Sequence, residues 1–317
     1  MEIDKTEIDF RLTAALAEFH LQGATLLEWI APYAMSMHTG LDADSAFIEC
    51  DGAQYFLKLH HQELPGAADS HLAAMAARAA ARVGAAPGFV EHAPHSGATL
   101  FERAPTGWHT VMRPDFDNPD IKASALRTIK RWHGTDTLPI DRPAWHFIDA
   151  TLTAIDAILG GASEQAQLVV PEDFEVLRRH SADLLKVIAL SPAPQVPLHG
   201  QILASNMLVG PENQILLVDF DHAANGDPLW DLAALALAFD CPDAEHAELL
   251  TQYGIAAEAH TLTRLHACMA LLDIGWGLWG RLAHFLSPRS NIEFFKYGET
   301  RLVRARGRLA AQSGAQL

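Results

Sequence analysis

The run Leu198-His199-Gly200-Gln201-Ile202-Leu203-Ala204-Ser205-Asn206, followed by Val218-Asp219-Phe220-Asp221, decides how this chain of 317 residues is read. Between the two pieces, Met207 to Val209 and Gln214 to Val218 have strand character around Gly210-Pro211-Glu212-Asn213, a string of turn formers. The predicted hairpin interrupts a sequence that is otherwise helical in its apolar spacing. Helical patterns run from Ile121 onward, including Ala144 to Leu159 and Pro171 to Leu190, and they resume at Pro228.

Toward the N-terminus the period changes. Apolar residues recur at helical spacing from Thr6 to Ile30, and two β-like runs follow, Ser45 to Cys50 and Ala53 to Leu59, separated by Asp51-Gly52. That dipeptide readily takes the positive φ angles of a tight hairpin turn. In the second run Gln54, Phe56 and Lys58 share one face while Tyr55, Leu57 and Leu59 share the other, so a lysine projects from a strand interior. An alanine-rich helix is predicted over Asp69 to Val83, with Gly84 and Pro87 as its stop signals. Short strands are predicted over Gly88 to Glu91 and Ala98 to Glu102, before Pro105, Gly107 and Pro114 mark a loop-rich crossing. The expected architecture is α+β, with a small β-rich lobe over residues 1–104, a mainly helical lobe over 105–317, and a ligand cleft between them.

Bulk properties narrow the partners. With 39 acidic against 23 basic side chains the formal charge is -16, which repels a nucleic-acid backbone. The arginines at 301, 304, 306 and 308 are read as charges spread around a solvated helix. Cys50, Cys241 and Cys268 lie far apart and read as buried small hydrophobes, and the 17 histidines show no repeated metal-ligand spacing. Met1 to Phe10 carries no secretory or transit pattern, so the expected location is the cytoplasm. The greasiest segment, Ala267 to Trp279, is broken by Asp273 and is too short to cross a bilayer, so no membrane insertion is expected.

The quoted run closely resembles the catalytic and metal-binding loops of choline/ethanolamine kinases and aminoglycoside phosphotransferases, which read His-Gly-Asp, four residues, Asn, then Ile-Asp-Phe or Val-Asp-Phe. Gly226-Asp227-Pro228-Leu229-Trp230-Asp231-Leu232-Ala233 is similar to the family's Asp-Pro-aromatic-Asp-Leu-Ala signature. Gly84-Ala85-Ala86-Pro87, Leu100 to Gly107 and Trp276-Gly277-Leu278-Trp279 look like landmarks of the choline kinase branch, and the likeness runs from about Ser45 to Arg308. It implies a two-lobed, protein-kinase-like fold and a phosphotransferase that uses ATP and Mg2+ on a small alcohol, cationic in the choline branch.

Residue by residue, the resemblance places Lys58 on the nucleotide's phosphates and Glu102 to Ala104 at the hinge that meets adenine. Asn206 and Asp219 fall at the metal, where hard oxygen ligands on a short hairpin suit magnesium. Asp221, Trp276, Trp279 and Tyr297 are candidates for the acceptor site, the aromatics as faces for a quaternary ammonium group. The two tryptophans also sit at helical spacing, as a buried stripe would. His199 is read as a structural member of its loop, and Asp227 and Asp231 as caps of the helix beginning at Pro228.

Three positions depart from the family pattern. Gln201 stands where an aspartate orients the acceptor hydroxyl and takes its proton; an amide can do the first but not the second. Ala73 stands where a helix glutamate pairs with the lysine, with Glu63 as a conceivable substitute. The segment His38 to Asp44 replaces a glycine-rich loop and brings Asp42 and Asp44 toward the phosphates, where carboxylates are unfavourable. The expected function is therefore an impaired or repurposed phosphotransferase, the alternative being a pseudokinase that binds a nucleotide or small ligand and acts through a protein partner.

Overall fold

The computed structural model describes residues 5–35, 39–61, 64, 66, 68–161, 164–191, 193–289 and 292–314. Helix α1 (Lys5–Glu18) is followed by β1 (Thr25–Ile30), the short pair β2 (Tyr33–Ala34) and β3 (Thr39–Gly40), and the hairpin β4 (Ala43–Cys50) and β5 (Ala53–His60). Helix α2 (Ser70–Arg82) leads to β6 (Phe89–Ala93) and β7 (Ala98–Glu102). The five longer strands form one antiparallel sheet in the order β1-β4-β5-β7-β6.

The β4–β5 turn forms where the sequence predicts it, with Asp51 at φ 51° and Gly52 at φ 77°. Strand alternation then sorts β5. Leu57 and Leu59 are buried with Leu12 and Ala15 of α1 and with Phe19 just after it, while Phe56 and Lys58 line the cleft on the other face. The helical reading of Thr6 to Ile30 holds only as far as Glu18; Thr25 to Ile30 pairs antiparallel with β4 instead, with a register shift between Leu26 and Glu28. The partner strand supplies the hydrogen bonds that decide this, which helical spacing within one segment does not reveal. Helix α2 starts at an Asp69 cap, whose carboxylate accepts from the N–H groups of His71 and Leu72.

Beyond β7 the chain crosses to β8 (His109–Thr110), which pairs with β10 (Met207–Val209) and through it with β11 (Ile215–Leu217). The helices are α3 (Pro119–His133), α4 (His146–Leu159), α5 (Phe174–Ala189), α6 (Leu229–Ala238), α7 (His246–Tyr253), α8 (Ala259–Leu286) and α9 (Phe294–Gly314). Strand β9 (Val196–Leu198), just before the quoted run, pairs with β12 (Ala224–Gly226) just after it, closing the segment into a loop system. Its floor is the buried face of α6 and α8, with Trp132 and Trp230 in the same core.

The arginines of α9 do not solvate the helix as expected. Arg301, Arg304 and Arg308 share one face, at spacings of three and four, and converge on Asp273, which is buried in α8. Arg306 points elsewhere, to Asp173. All three cysteines are free, and Cys50 is only half-buried. Among the described residues no helix is long and apolar enough to cross a membrane.

Candidate active site

A cleft of about 880 Å³ separates the sheet from the helical part. Lys58 reaches across it from β5. Its Nζ lies 2.6 Å from Oδ1 of Asp219 and 2.7 Å from Oδ2 of Asp221. His60, on the same strand face, places Nε2 3.0 Å from Oδ1 of Asp221 and Nδ1 2.9 Å from the Gly97 carbonyl. Both ring nitrogens thus face oxygen atoms, and Asp221 sits between Lys58 and His60.

This arrangement sets the charges of the two aspartates apart. Burial raises Asp221, but Lys58 and His60 outweigh it and hold the carboxyl well below its ordinary range. Burial and the neighbouring Asp221 charge push Asp219 up to about 6, against the pull of Lys58. Lys58 itself is raised above its ordinary value, the two carboxylates overcoming the cost of burial. Asp219 also sits at φ 71°, a left-handed conformation that costs energy for a residue with a Cβ and aims its carboxylate differently from an extended one.

Asn206 completes the cluster. Its Nδ2 donates to the Gln201 carbonyl at 3.0 Å and approaches Gln201 Oε1 at 3.3 Å, while its Oδ1 accepts from Ser205 Oγ. The Asn206 carbonyl also takes the N–H of Val218, which ties the two ends of the β10–β11 hairpin together one residue before Asp219. Ser205 Oγ receives the backbone N–H of Thr39 from the sheet side, a direct bond across the cleft mouth. Asp219 and the Asn206 amide oxygen are hard donors of the kind a divalent cation such as magnesium takes, so these residues fit one.

The sequence-expected residues divide by location. Lys58, Glu102, Ala104, Asn206, Asp219 and Asp221 line the cleft. Gln201 is buried beside it, its side-chain oxygen facing Asn206. Asp221, expected at the acceptor, is engaged by Lys58 and His60, because its position two residues after Asp219 aims it back at β5. Trp276, Trp279 and Tyr297 are packed in the core away from the cleft: Trp276 stacks on Phe147 at 4.3 Å, and Trp279 meets Tyr297 and Phe294 edge-on. Arg301 lies over the Tyr297 ring and Arg289 over Phe294, so the protein's own cations already occupy aromatic faces there.

Ala73 lines the cleft wall, and Asp221 with His60 holds Lys58 where a helix carboxylate is missing. Glu63, the conceivable substitute, lies outside the described residues, as does His38. Asp44 turns away from the cleft to Arg11, at 2.6 Å, and His61. Arg11, from α1, also donates to the carbonyls of Leu59 and His60 and so braces the strand that carries Lys58. Neither His60 nor Arg11 was singled out by sequence reasoning. His60 was within reach of it, standing two residues from Lys58 and therefore on the same strand face.

Asp227 accepts the Leu229 N–H at the start of α6, whereas Asp231 lies inside that helix and serves the loop instead of capping. Fully buried, it accepts from the backbone N–H groups of His199 and Gly200, at 2.7 and 2.9 Å, and from His133 Nε2 at 3.0 Å. Gly200 is required beside it, with φ 84° and no room for a Cβ against the His222 carbonyl. His199 serves structurally, donating Nε2–H to the Val218 carbonyl while Nδ1 faces the Gln201 N–H. Burial raises Asp231, but bonding to His133 and charge from both histidines bring its carboxyl below the ordinary value. Asp231→Asn is therefore expected to lose about 3–5 kcal/mol of stability in urea unfolding near neutral pH. Since the folded-state pKa is depressed, the difference from wild type shrinks as pH falls below about 4 and the native carboxyl itself protonates.

Residues 37–272 match the family model described as the phosphotransferase enzyme family, so the chain belongs to that family. A search of the curated proteins found no match. Among solved structures, the choline/ethanolamine kinase family protein from Mesorhizobium loti superposes with a TM-score of 0.73 at 21% identity, over 96% of this chain and 94% of that one. The choline kinase LicA from Streptococcus pneumoniae gives 0.73 at 16% identity, over 96% and 99%. A thermostable mutant of the aminoglycoside phosphotransferase APH(4)-Ia, in ternary complex with ADP and hygromycin B, gives 0.58 at 13% identity, over 93% and 97%. At these identities the likeness is one of fold, and that fold is two-lobed and protein-kinase-like.

Proposed function

We propose that the protein is an ATP-dependent phosphotransferase acting on the hydroxyl of a small alcohol, slowed by the amide at position 201. The observation that carries this reading is the convergence of Lys58, from the sheet, on Asp219 and Asp221, from the helical side. Lys58 is placed to balance charge on the nucleotide's phosphates, and the backbone from Glu102 to Ala104 lines the same cleft where adenine would dock. Asp219 and Asn206 would hold Mg2+, which supplies positive charge against the triphosphate.

In the transfer step the alcohol oxygen bonds to the γ-phosphorus as the bridging bond to ADP breaks. The hydroxyl proton leaves to a phosphate oxygen or to water during that exchange, because Gln201 cannot take it. Gln201 can orient the hydroxyl by hydrogen bonding, which is the part of the aspartate's role that an amide keeps. The acceptor class follows from resemblance and charge. A cationic alcohol suits a chain of formal charge -16. The proposed setting is the cytoplasm.

Calorimetric titration with ATP, with and without magnesium, tests the nucleotide site. Magnesium-dependent binding, lost in Lys58→Ala, is the expected result; no heat at millimolar ATP would sink the proposal. A second reading is favoured by one contact: Gln201 Oε1 faces Asn206 Nδ2, which leaves a side chain that bonds within its own loop. Together with Ala73, that contact suits a pseudokinase acting through a protein partner. It predicts intact Mg-ATP binding with no phosphorylated product from any alcohol, and measurable turnover eliminates it.

A further inference from the structure

Asp243, His246 and His266 bring one ligand atom each to within 4.8 Å of the others, on the face of the helical part made by α7, the turn before it, and α8. None of the three lines the cleft. Nδ1 of His246 lies 2.9 Å from Nε2 of His266 and 3.7 Å from Oδ1 of Asp243. We propose that these three residues form a second metal site, separate from the phosphate-binding cleft, that takes a borderline transition-metal cation such as Zn2+.

The donor set argues for that class of ion. Two imidazole nitrogens and one carboxylate oxygen suit zinc and its neighbours, whereas magnesium and calcium prefer all-oxygen sites. Ligand atoms at about 2.0–2.1 Å from a tetrahedral zinc stand about 3.3 Å apart, so the observed 2.9 and 3.7 Å bracket the required spacing. Closing the site needs the Asp243 carboxylate to move toward the His266 ring, the three ligand atoms now lying within 4.8 Å of one another, and the Asp243 side chain is 76% exposed and free to turn.

The protonation states fit as well. Burial and the facing His266 hold His246 below its ordinary pKa, and burial does the same to His266, so both rings are neutral near pH 7 and have lone pairs to offer. The opposing charge is Arg308, which lowers both histidines, but its Nε is committed to Asp273 at 3.3 Å.

With three protein ligands a fourth position is left for water. The two histidines come from different helices, so a bound ion would pin the start of α7 to the first half of α8. The metal-free alternative is a plain hydrogen bond between the two rings, and it makes a different prediction.

The chelator-treated protein is titrated with ZnCl2 by calorimetry and with CoCl2 by visible absorption. One equivalent of Zn2+ is expected to bind with low-micromolar affinity or better, Co2+ to give a tetrahedral ligand-field spectrum, and the melting temperature to rise with Zn2+. His266→Ala should abolish the stoichiometric event. Asp243→Asn, at an exposed position that leaves the fold intact, should weaken it by at least about tenfold. Mg-ATP binding should be unchanged in both variants, which separates this site from the cleft. Absence of one-to-one binding, or equal affinity in Asp243→Asn and wild type, overturns the proposal and leaves the ring-to-ring hydrogen bond as the reason for the pair.

Discussion

Asp219→Asn is expected to reduce phosphoryl transfer by roughly 1,000-fold or more while leaving the melting temperature no lower than that of the wild type. The two halves of that result have one cause. The Asp219 carboxyl is pushed up to about 6 by burial and by Asp221, so its ionised form is held in the folded protein against an electrostatic cost. A carboxyl whose folded-state pKa lies above its unfolded value lowers stability as pH rises through that interval, and the full cost is present at pH 7. Asparagine removes the charge and accepts the left-handed backbone at φ 71° more readily than most residues. Lys58 keeps Asp221 as its partner, so the cleft stays assembled.

The same residue gives the wild type a pH dependence. Metal-nucleotide binding needs the Asp219 carboxylate, so affinity for Mg-ATP should rise as pH increases through about 6 and flatten above it. Asp219→Asn should bind ATP weakly and without that pH step. Calorimetry across pH 5 to 8 on both proteins reads the effect directly. A variant that retained magnesium-dependent ATP affinity would show that Asp219 is not the metal ligand.

The parts of this molecule that were legible in sequence are those set by local chemistry. The Asp51-Gly52 turn fixes the β4–β5 register, and the register fixes which face carries Lys58. Asp69 and Gly84 mark the ends of α2 to within a residue or two. Asn206 and Asp219 were found because a hairpin of strict length separates them, and the hairpin is closed by Val218 N–H on the Asn206 carbonyl.

What was not legible depends on contacts between distant residues. Asp221 lies 163 positions from Lys58, and nothing in its spacing says that it replaces a helix carboxylate. Asp44 reads as a charge beside phosphate until Arg11 of α1 is seen to hold it, 33 residues away. Thr25 to Ile30 has apolar residues in an order that suits either a helix or a strand, and pairing with β4 decides. The α9 arginines are a different case. Positions 301, 304 and 308 fall on one helical face, and Asp273 stands alone in an apolar run, so a buried charge cluster was within reach of periodicity alone.

Gln201→Asp is expected to raise the rate of transfer by on the order of 100- to 10,000-fold, the range that general-base assistance ordinarily supplies. The loop is already built to receive it. Position 201 follows a glycine fixed by the His222 carbonyl, and the N–H groups of His199 and Gly200 are locked on Asp231, so the backbone has little freedom to move when the side chain changes. Asn206 Nδ2 is bonded to the residue 201 carbonyl, a contact that does not depend on the side chain, and a carboxylate there would also accept from that amide. The aspartate is one methylene shorter than glutamine, which opens space on the cleft side of the loop for an acceptor hydroxyl. It also adds a negative charge near Asp219, so the variant should need more magnesium for half-maximal rate, a shift the amide does not impose. The decisive comparison is product formation by wild type and Gln201→Asp across a panel of small alcohols at saturating Mg-ATP. A gain in kcat on one acceptor class, with ATP affinity little changed, identifies the substrate and establishes that the amide limits the wild type. Equal, barely detectable rates in both proteins on every alcohol would mean that position 201 is not where the chemistry is limited, and the reading as a binding protein with a partner would take precedence.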